Sequence, residues 1–304
     1  MARRPRNLLE RRASSRGERP ISMSGIVWLA SYPKSGNTWL RALLANYRSN
    51  APAPVPINDL PLHCLSDNHS RPYVELSGKS EAELTPAEIN RLRPAVHRRM
   101  AASQAEWVMV KTHSVLGALD GVPLITPDAT RAAVYVARNP LDVAASFADH
   151  YGLSIDAALR AMNNEHNATP PAAGAIFQFL SSWSRHVESW RAADGLALHV
   201  IRYEDLHRDP VATLRGAVRF LGLGEDEALL ERAVRFSAFN ALAEQERRSG
   251  FVERPRNSSR FFRHGKIGGW RSILSSAQAD SLIDRCRSAM RALGYLTADG
   301  APLA

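Results

Sequence analysis

The sequence predicts an α/β domain whose central sheet is mainly parallel and covered by helices on both faces. Three observations carry that expectation. Short apolar runs suited to buried strands, GIVWLA (25–30), WVMVK (107–111), AAVYVA (132–137) and LALHVIRY (196–203), alternate with segments of helical spacing. Helix-start signals follow the third and fourth runs, as Asn139-Pro140 and, six residues on, Asp209-Pro210. The length, 304 residues, is enough for one large domain of this class.

Taken in order, residues 1–22 hold seven Arg and two Glu without apolar periodicity and are expected to be a disordered basic tail. One folded domain is expected over 23–304. Its first strand is the run at 25–30, followed by a helix from Trp39 to Tyr47. Residues 51–62 contain four prolines and are expected to be irregular. Residues 63–105 read as polar loop and helix with no place in the sheet, and 152–174 as irregular. A helix is expected from Leu141 to Tyr151. Another carries Phe177, Leu180, Trp183, Val187 and Trp190 on one side and leads to the fourth strand. Further helices are expected after Asp209-Pro210, near 225–235 and at 276–293, with a Gly/Arg-rich segment at 254–271.

The formal charge is +9, from 39 Lys and Arg against 30 Asp and Glu, and +5 of it sits in the first 22 residues. The folded part therefore lacks the strong basic balance that nucleic-acid binding favours. Lysine is rare: Lys34, Lys79, Lys111 and Lys266 stand against 35 Arg, which suggests sites where a compact ammonium is wanted. Cys64 and Cys286 have no Cys/His pairing around them, so neither a disulfide framework nor a structural zinc site is expected. No apolar run approaches the roughly eighteen residues of a bilayer span. The Arg-rich start lacks the apolar stretch of a secretory signal, and a cytoplasmic location is expected.

Three segments carry chemistry. Residues 31–39, SYPKSGNTW, lie between the first strand and the first helix, where Lys, Gly and Ser/Thr have the architecture of a phosphate-binding loop. The string is not GxxxxGK[ST], because Lys34 precedes Gly36 by two. A plain turn is the alternative for Lys-x-Gly alone; the whole string at a strand–helix junction favours the anion loop. Residues 134–146, VYVARNPLDVAAS, bring Arg138 to a strand end and Ser146 roughly two turns into the next helix, a fork and a hydroxyl suited to a terminal phosphate. Lys111-Thr112-His113 closes the second strand, and an imidazole there is suited to taking a proton near neutral pH.

SYPKSGNTW resembles the 5′-phosphosulfate loop of sulfotransferases that use 3′-phosphoadenosine 5′-phosphosulfate (PAPS). The resemblance implies a P-loop-kinase-like three-layer fold, with Lys34, Ser35, Gly36, Asn37, Thr38 and Trp39 around the donor and Trp39 against its base. Residues 134–146 are similar to the family's 3′-phosphate segment, which implies that role for Arg138 and Ser146. Residues 262–271, FRHGKIGGWR, resemble the family's C-terminal Arg-Lys-Gly-x-x-Gly-Asp-Trp-Lys. That places Phe262, Arg263, His264 and Gly265 in the phosphate clamp, while His264, Gly269 and Arg271 depart from the pattern, and Gly269 puts a polar anchor of the loop in doubt. The resemblance further implies Tyr203, Ser237 and Phe239 around the nucleotide. It covers about residues 25–295.

The implied reaction is in-line transfer of SO₃ from PAPS to a hydroxyl, with release of adenosine 3′,5′-bisphosphate (PAP). Lys34 would neutralise the leaving oxygen, Lys111 would steady the transferring group, and His113 would accept the hydroxyl proton. No metal is required on this reading. The expected partner is a small-molecule, lipid or glycoside acceptor, walled by residues 51–105, 152–175 and 240–261; a homodimer is left open, and neither nucleic acid nor a transmembrane segment is expected. A P-loop small-molecule or nucleotide kinase is the nearest alternative, but AAVYVA ends in Arg138 instead of a metal-binding Asp. A non-enzymatic basic nucleic-acid-binding module is the second.

Overall fold

The computed structural model describes residues 24–254, 258, 260–263 and 265–303; the expected tail at 1–22 and His264 lie outside the described residues. In chain order the strands are β1 (Gly25–Ser31), β2 (Leu65–Ser66), β3 (Trp107–Thr112), β4 (Ala118–Leu119), β5 (Val122–Pro123), β6 (Thr130–Ala137) and β7 (Leu198–Arg202). β4 and β5 form a small antiparallel ribbon. The other five form one parallel sheet in the order β2-β3-β1-β6-β7.

β1 is apolar on both faces because both are covered. Its seven residues are all buried. Ile26, Trp28 and Ala30 face helices Pro86–Ala101, Pro140–Tyr151, Trp183–Arg191 and Ser276–Ala292. Val27 and Leu29 face helices Asn37–Ser49, Pro210–Phe220 and Glu227–Phe236. The result is the expected three-layer α/β arrangement. A smaller apolar cluster, with Ala42, Ile57, Leu60, Leu242 and Phe251, lies beside the Asn37–Ser49 helix.

Both sequence-marked helix starts form as expected. The Asn139 side chain accepts from the Leu141 N–H, and that of Asp209 accepts from the Ala212 N–H. Each satisfies a donor that the first turn leaves free.

Other elements differ from the expectation. The 63–105 region does supply the sheet with a strand, since β2 pairs with Val110 and Lys111 of β3. Two residues are too few to show alternation. One helical turn, Leu60–His63, forms within and just past the proline-rich stretch, with Pro61 in its first turn, where a missing N–H costs nothing. Helix Ile155–Met162 occupies part of the stretch read as irregular, capped by Ser154. The Trp183–Arg191 helix starts later than its apolar stripe because Ser182 caps it; Phe177 and Leu180 are buried from the extended chain before it. Helix Phe239–Ser249 was not anticipated.

Register decides where the site falls. Ala30 pairs with Thr112, Ser31 with Val136, and Ala137 with Arg202. The residues that follow these strands, the 32–36 loop, His113, Arg138 and Tyr203, therefore emerge together at the carboxyl edge of the sheet, where open α/β sheets bind ligands.

Candidate active site

The loop after β1 is shaped by two left-handed residues, Lys34 (φ 69°) and Gly36 (φ 105°). A Cβ on Gly36 would stand 2.6 Å from the Tyr203 ring, so close approach as well as backbone angle demands glycine. Helix Asn37–Ser49 then begins with no side chain capping it, which leaves its first N–H groups to face the loop. Asn37 turns back to donate to the Leu29 carbonyl at 2.8 Å, tying the helix start to the strand. Four buried polar atoms here have no hydrogen-bond partner among the described residues: Ser35 Oγ, Asn37 Oδ1, Trp39 Nε1 and Arg138 Nε.

His113 sits at the end of β3 with its Nδ1 2.8 Å from the Ser31 carbonyl oxygen. A carbonyl can only accept, so Nδ1 carries the hydrogen and Nε2 keeps its lone pair. Burial, with Lys111 nearby, pushes the imidazole well below the ordinary histidine range, which keeps it neutral, with the Nε2 lone pair unprotonated, at neutral pH. A buried relay fixes it from behind. Tyr135 donates to His186 Nδ1 at 2.9 Å, and His186 Nε2 donates to the His113 carbonyl at 3.0 Å.

Lys34 Nζ donates to His150 Nδ1 at 3.2 Å and lies 4.4 Å from the centre of the Phe261 ring. Desolvation, then Arg138, Lys111 and Arg263, bring its ammonium down to about 8. The same forces act on His150, lowered to about 3 by burial, Lys34 and Lys111, so it is a neutral acceptor. Four cations thus converge at one end of the sheet, an arrangement that favours an anion between them.

Arg138 links the two phosphate segments. It donates to the Lys34 carbonyl at 3.2 Å and the Lys266 carbonyl at 3.1 Å, with its guanidinium 4.4 Å from the Tyr203 ring centre. Arg263 pairs with Asp149, one turn beyond Ser146 on the Pro140–Tyr151 helix, so the pairing draws Arg263 toward the face that carries Ser146. Gly265 has φ 57°, and a side chain there would run into the Phe239 ring. Its carbonyl accepts from Tyr203 Oη at 3.1 Å and from His207 Nε2. Phe262 meets Phe239 edge-on.

Trp39 stands edge-on to Tyr203 and His207. Ser237 is fully buried and accepts from Asn46 Nδ2 at 3.0 Å. Thr38 is buried in the first turn of the Asn37–Ser49 helix. Contacts among the described residues thus join Lys34, Gly36, Trp39, Arg138, Tyr203, Phe239, Phe262 and Gly265 near His113, whereas Ser237 is tied to Asn46 in the last turn of the Asn37–Ser49 helix and His264 lies outside the described residues.

Several residues of the site have no sequence signal. Glu253 bridges Lys111 (3.4 Å) and Arg41 (2.7 Å). Burial raises its carboxyl, but Lys111 and Arg41 prevail and hold it down to about 2. Glu246 accepts from the Phe261 and Phe262 N–H groups at 2.7 and 2.9 Å. Asp142 accepts from the Gly268 and Trp270 N–H groups at 2.8 and 3.0 Å. The loop at 268–270 therefore has a carboxylate anchor although position 269 is glycine. Asp142 stood in the quoted RNPLD string, and only its partners were hidden.

A neutral imidazole among lysines and arginines, at the mouth of a phosphate-type loop, suits a transferase that moves an anionic group from a nucleotide to a hydroxyl. Residues 25–294 match the sulfotransferase domain, and the chain belongs to the sulfotransferase family. It is 25% identical to flavonol 4'-sulfotransferase of Flaveria chlorifolia over 86% of this chain and 79% of that protein. It is 23% identical to sulfotransferase 1B1 of Canis lupus familiaris over 82% and 78%. Among solved structures, retinol dehydratase in complex with androsterone and the inactive cofactor PAP aligns with a TM-score of 0.59 at 20% identity, covering 88% of this chain and 80% of that one. A mouse sulfotransferase complexed with PAP gives 0.55 at 20%, covering 88% and 84%. These structures share the fold. No helix among the described residues is long and apolar enough to cross a membrane.

Proposed function

We propose that this enzyme transfers a sulfuryl group from PAPS to a hydroxyl of a small-molecule acceptor and releases PAP, with His113 as the base. PAPS supplies the sulfuryl group in activated form, as a phosphosulfate anhydride. The residues present fit it. The unpartnered Ser35 Oγ and Arg138 Nε, the uncapped helix start and the four convergent cations offer donors and charge to an anionic nucleotide.

The observation that carries the reading is the His113 Nδ1–Ser31 carbonyl bond, because it leaves Nε2 free to take a hydroxyl proton. Lys34 stabilises charge developing on the leaving phosphate oxygen, and Lys111 steadies the group in transfer. Arg138, Ser146, Arg263 and Gly265 hold the second phosphate, which separates this donor from ATP. Strand β6 supports the choice over a kinase, since it delivers Arg138 where a metal-binding Asp would stand. Relatives that act on flavonols make phenols and alcohols the first acceptors to try.

The test is a panel of phenol and alcohol acceptors with labelled PAPS, read by mass spectrometry. His113→Ala should abolish product while PAP affinity stays within about twofold, because the base contributes to chemistry more than to donor binding. Undiminished turnover in that variant would place the base elsewhere. Arg138→Ala should weaken PAP by about 2–3 kcal/mol, the scale of a lost charge-assisted contact. AMP binding as tightly as PAP to the wild type would refute a two-phosphate site.

A further inference from the structure

The segment after helix Phe239–Ser249 touches both lysines given a part in transfer. Phe261 lies over Lys34, and Glu253 reaches Lys111. We propose that Glu253 is a positioning residue for sulfuryl transfer: braced from behind by the buried Arg41, its carboxylate holds the Lys111 ammonium beside His113. The inference rests on the transfer role given to Lys111 above.

Three features argue for it. Arg41 stands on the helix that begins at the anion loop, and its side chain is only 2% exposed. Both Glu253 oxygens lie within hydrogen-bond distance of Arg41 Nη1, at 2.7 and 2.9 Å, so the carboxylate is fixed before Lys111 uses it. The chain around Glu253 is fixed as well. Asn58 donates to the Gly250 carbonyl at 3.3 Å and accepts from the Val252 N–H at 2.9 Å, and Phe251 is buried in the apolar cluster with Leu60 and Leu242.

The second consideration is electrostatic. A lysine side chain has four rotatable bonds and loses rotamer entropy when its ammonium is held in one place. Near Lys34, like-charge repulsion would drive the Lys111 ammonium outward, and desolvation strengthens that push. A carboxylate anchored on a second, buried cation opposes it and selects one rotamer. The Arg41–Glu253–Lys111 triad keeps a net positive charge, so it still attracts the donor. Neither partner of Glu253 is near it in sequence: Lys111 is 142 positions away and Arg41 212. The two contacts therefore exist only in the folded chain.

The experiment compares wild type, Glu253→Gln, Glu253→Asp, Lys111→Met and the double variant Glu253→Gln/Lys111→Met. The readouts are kcat with PAPS and the best acceptor of the panel, PAP affinity by calorimetry, and melting temperature. Glu253→Gln should lower kcat by about tenfold or more, the size expected for misplacing a group that acts in the transition state. PAP affinity should stay the same or tighten, because a negative charge has left an anion site. A purely structural role would instead lower PAP affinity and melting temperature together. Glu253→Asp, which keeps the charge, should recover part of the lost kcat. In the Lys111→Met background, Glu253→Gln should cost nothing more. Unchanged kcat in Glu253→Gln, or a full additional loss in the double variant, would overturn the proposal. A Lys111→Met enzyme with normal kcat would refute the role of Lys111 itself, a separate failure.

Discussion

Two stretches of chain beside the candidate donor site, 31–39 and 250–270, are built by different means. The loop at 31–39 is positioned by its main chain. It hangs between a strand buried along its whole length and a helix whose first residue bonds back to that strand. Among its described residues, the segment at 250–270 has one short helical turn, Gly269–Ser272, at its end. It is held by the side chains of three carboxylates: Glu246 grips 261 and 262, Glu253 ties to Arg41 and Lys111, and Asp142 grips 268 and 270. The placing of the first should thus be sensitive to added bulk. The second should be sensitive to loss of a charge with no change in shape.

The sharpest way to break the comparison is bulk in the first segment. Gly36→Ala puts a Cβ against Tyr203 and an L-residue at φ 105°. We expect a cost of about 2 kcal/mol or more, read as a lower melting temperature and PAP binding weaker by about tenfold or more. Gly78→Ala is the control: it has a positive φ but open space around it, so it should lose only about 1 kcal/mol and leave PAP binding unchanged. Equal effects at the two glycines would mean that Tyr203 yields easily.

Charge is the next lever, and Lys34 is its site in the first segment. Its ammonium is needed protonated, and its folded-state pKa is lowered to about 8 by burial, Arg138, Lys111 and Arg263. The proton is therefore on below pH 8 and comes off as pH rises through it. In free enzyme, kcat/KM for PAPS should fall by about tenfold per pH unit above 8. His113 is pushed the other way from neutrality, well below the ordinary range, so no loss from it is expected between pH 6.5 and 8. Lys34→Arg should remove the alkaline fall at some expense in rate, since a guanidinium does not titrate there. An unchanged alkaline limb in Lys34→Arg would assign it to another group.

The smallest effect is expected from an isosteric change in a carboxylate that supports the second segment. Asp142→Asn keeps the shape but removes a charge from the first turn of the Pro140–Tyr151 helix, along with one of two acceptors. We expect about 1–2 kcal/mol in PAP affinity, because the 265–270 backbone loosens, with a smaller change in melting temperature. If melting temperature falls and PAP binding does not, the carboxylate serves the helix rather than the clamp.

The central strands, the loop between β1 and its helix, and the places of Lys34, His113 and Arg138 were legible in the sequence. Each depends on residues adjacent in the chain: an apolar run long enough to be a strand, then a loop residue at its carboxyl end. Parallel strands side by side put all those ends on one edge, so local order was sufficient to bring these groups together. The carboxylates were not legible as partners. Asp142 meets Gly268 across 126 positions and Glu253 meets Lys111 across 142, and a single acidic residue in a polar stretch has no periodicity to mark it. The same holds for the tautomer of His113. The sequence placed an imidazole at the end of β3, but only the neighbouring strand's Ser31 carbonyl, and the His186–Tyr135 relay from another layer, fix which nitrogen is basic. Chain order determined which groups reach the edge of the sheet; packing between layers decided their charge, their protonation and what holds them still.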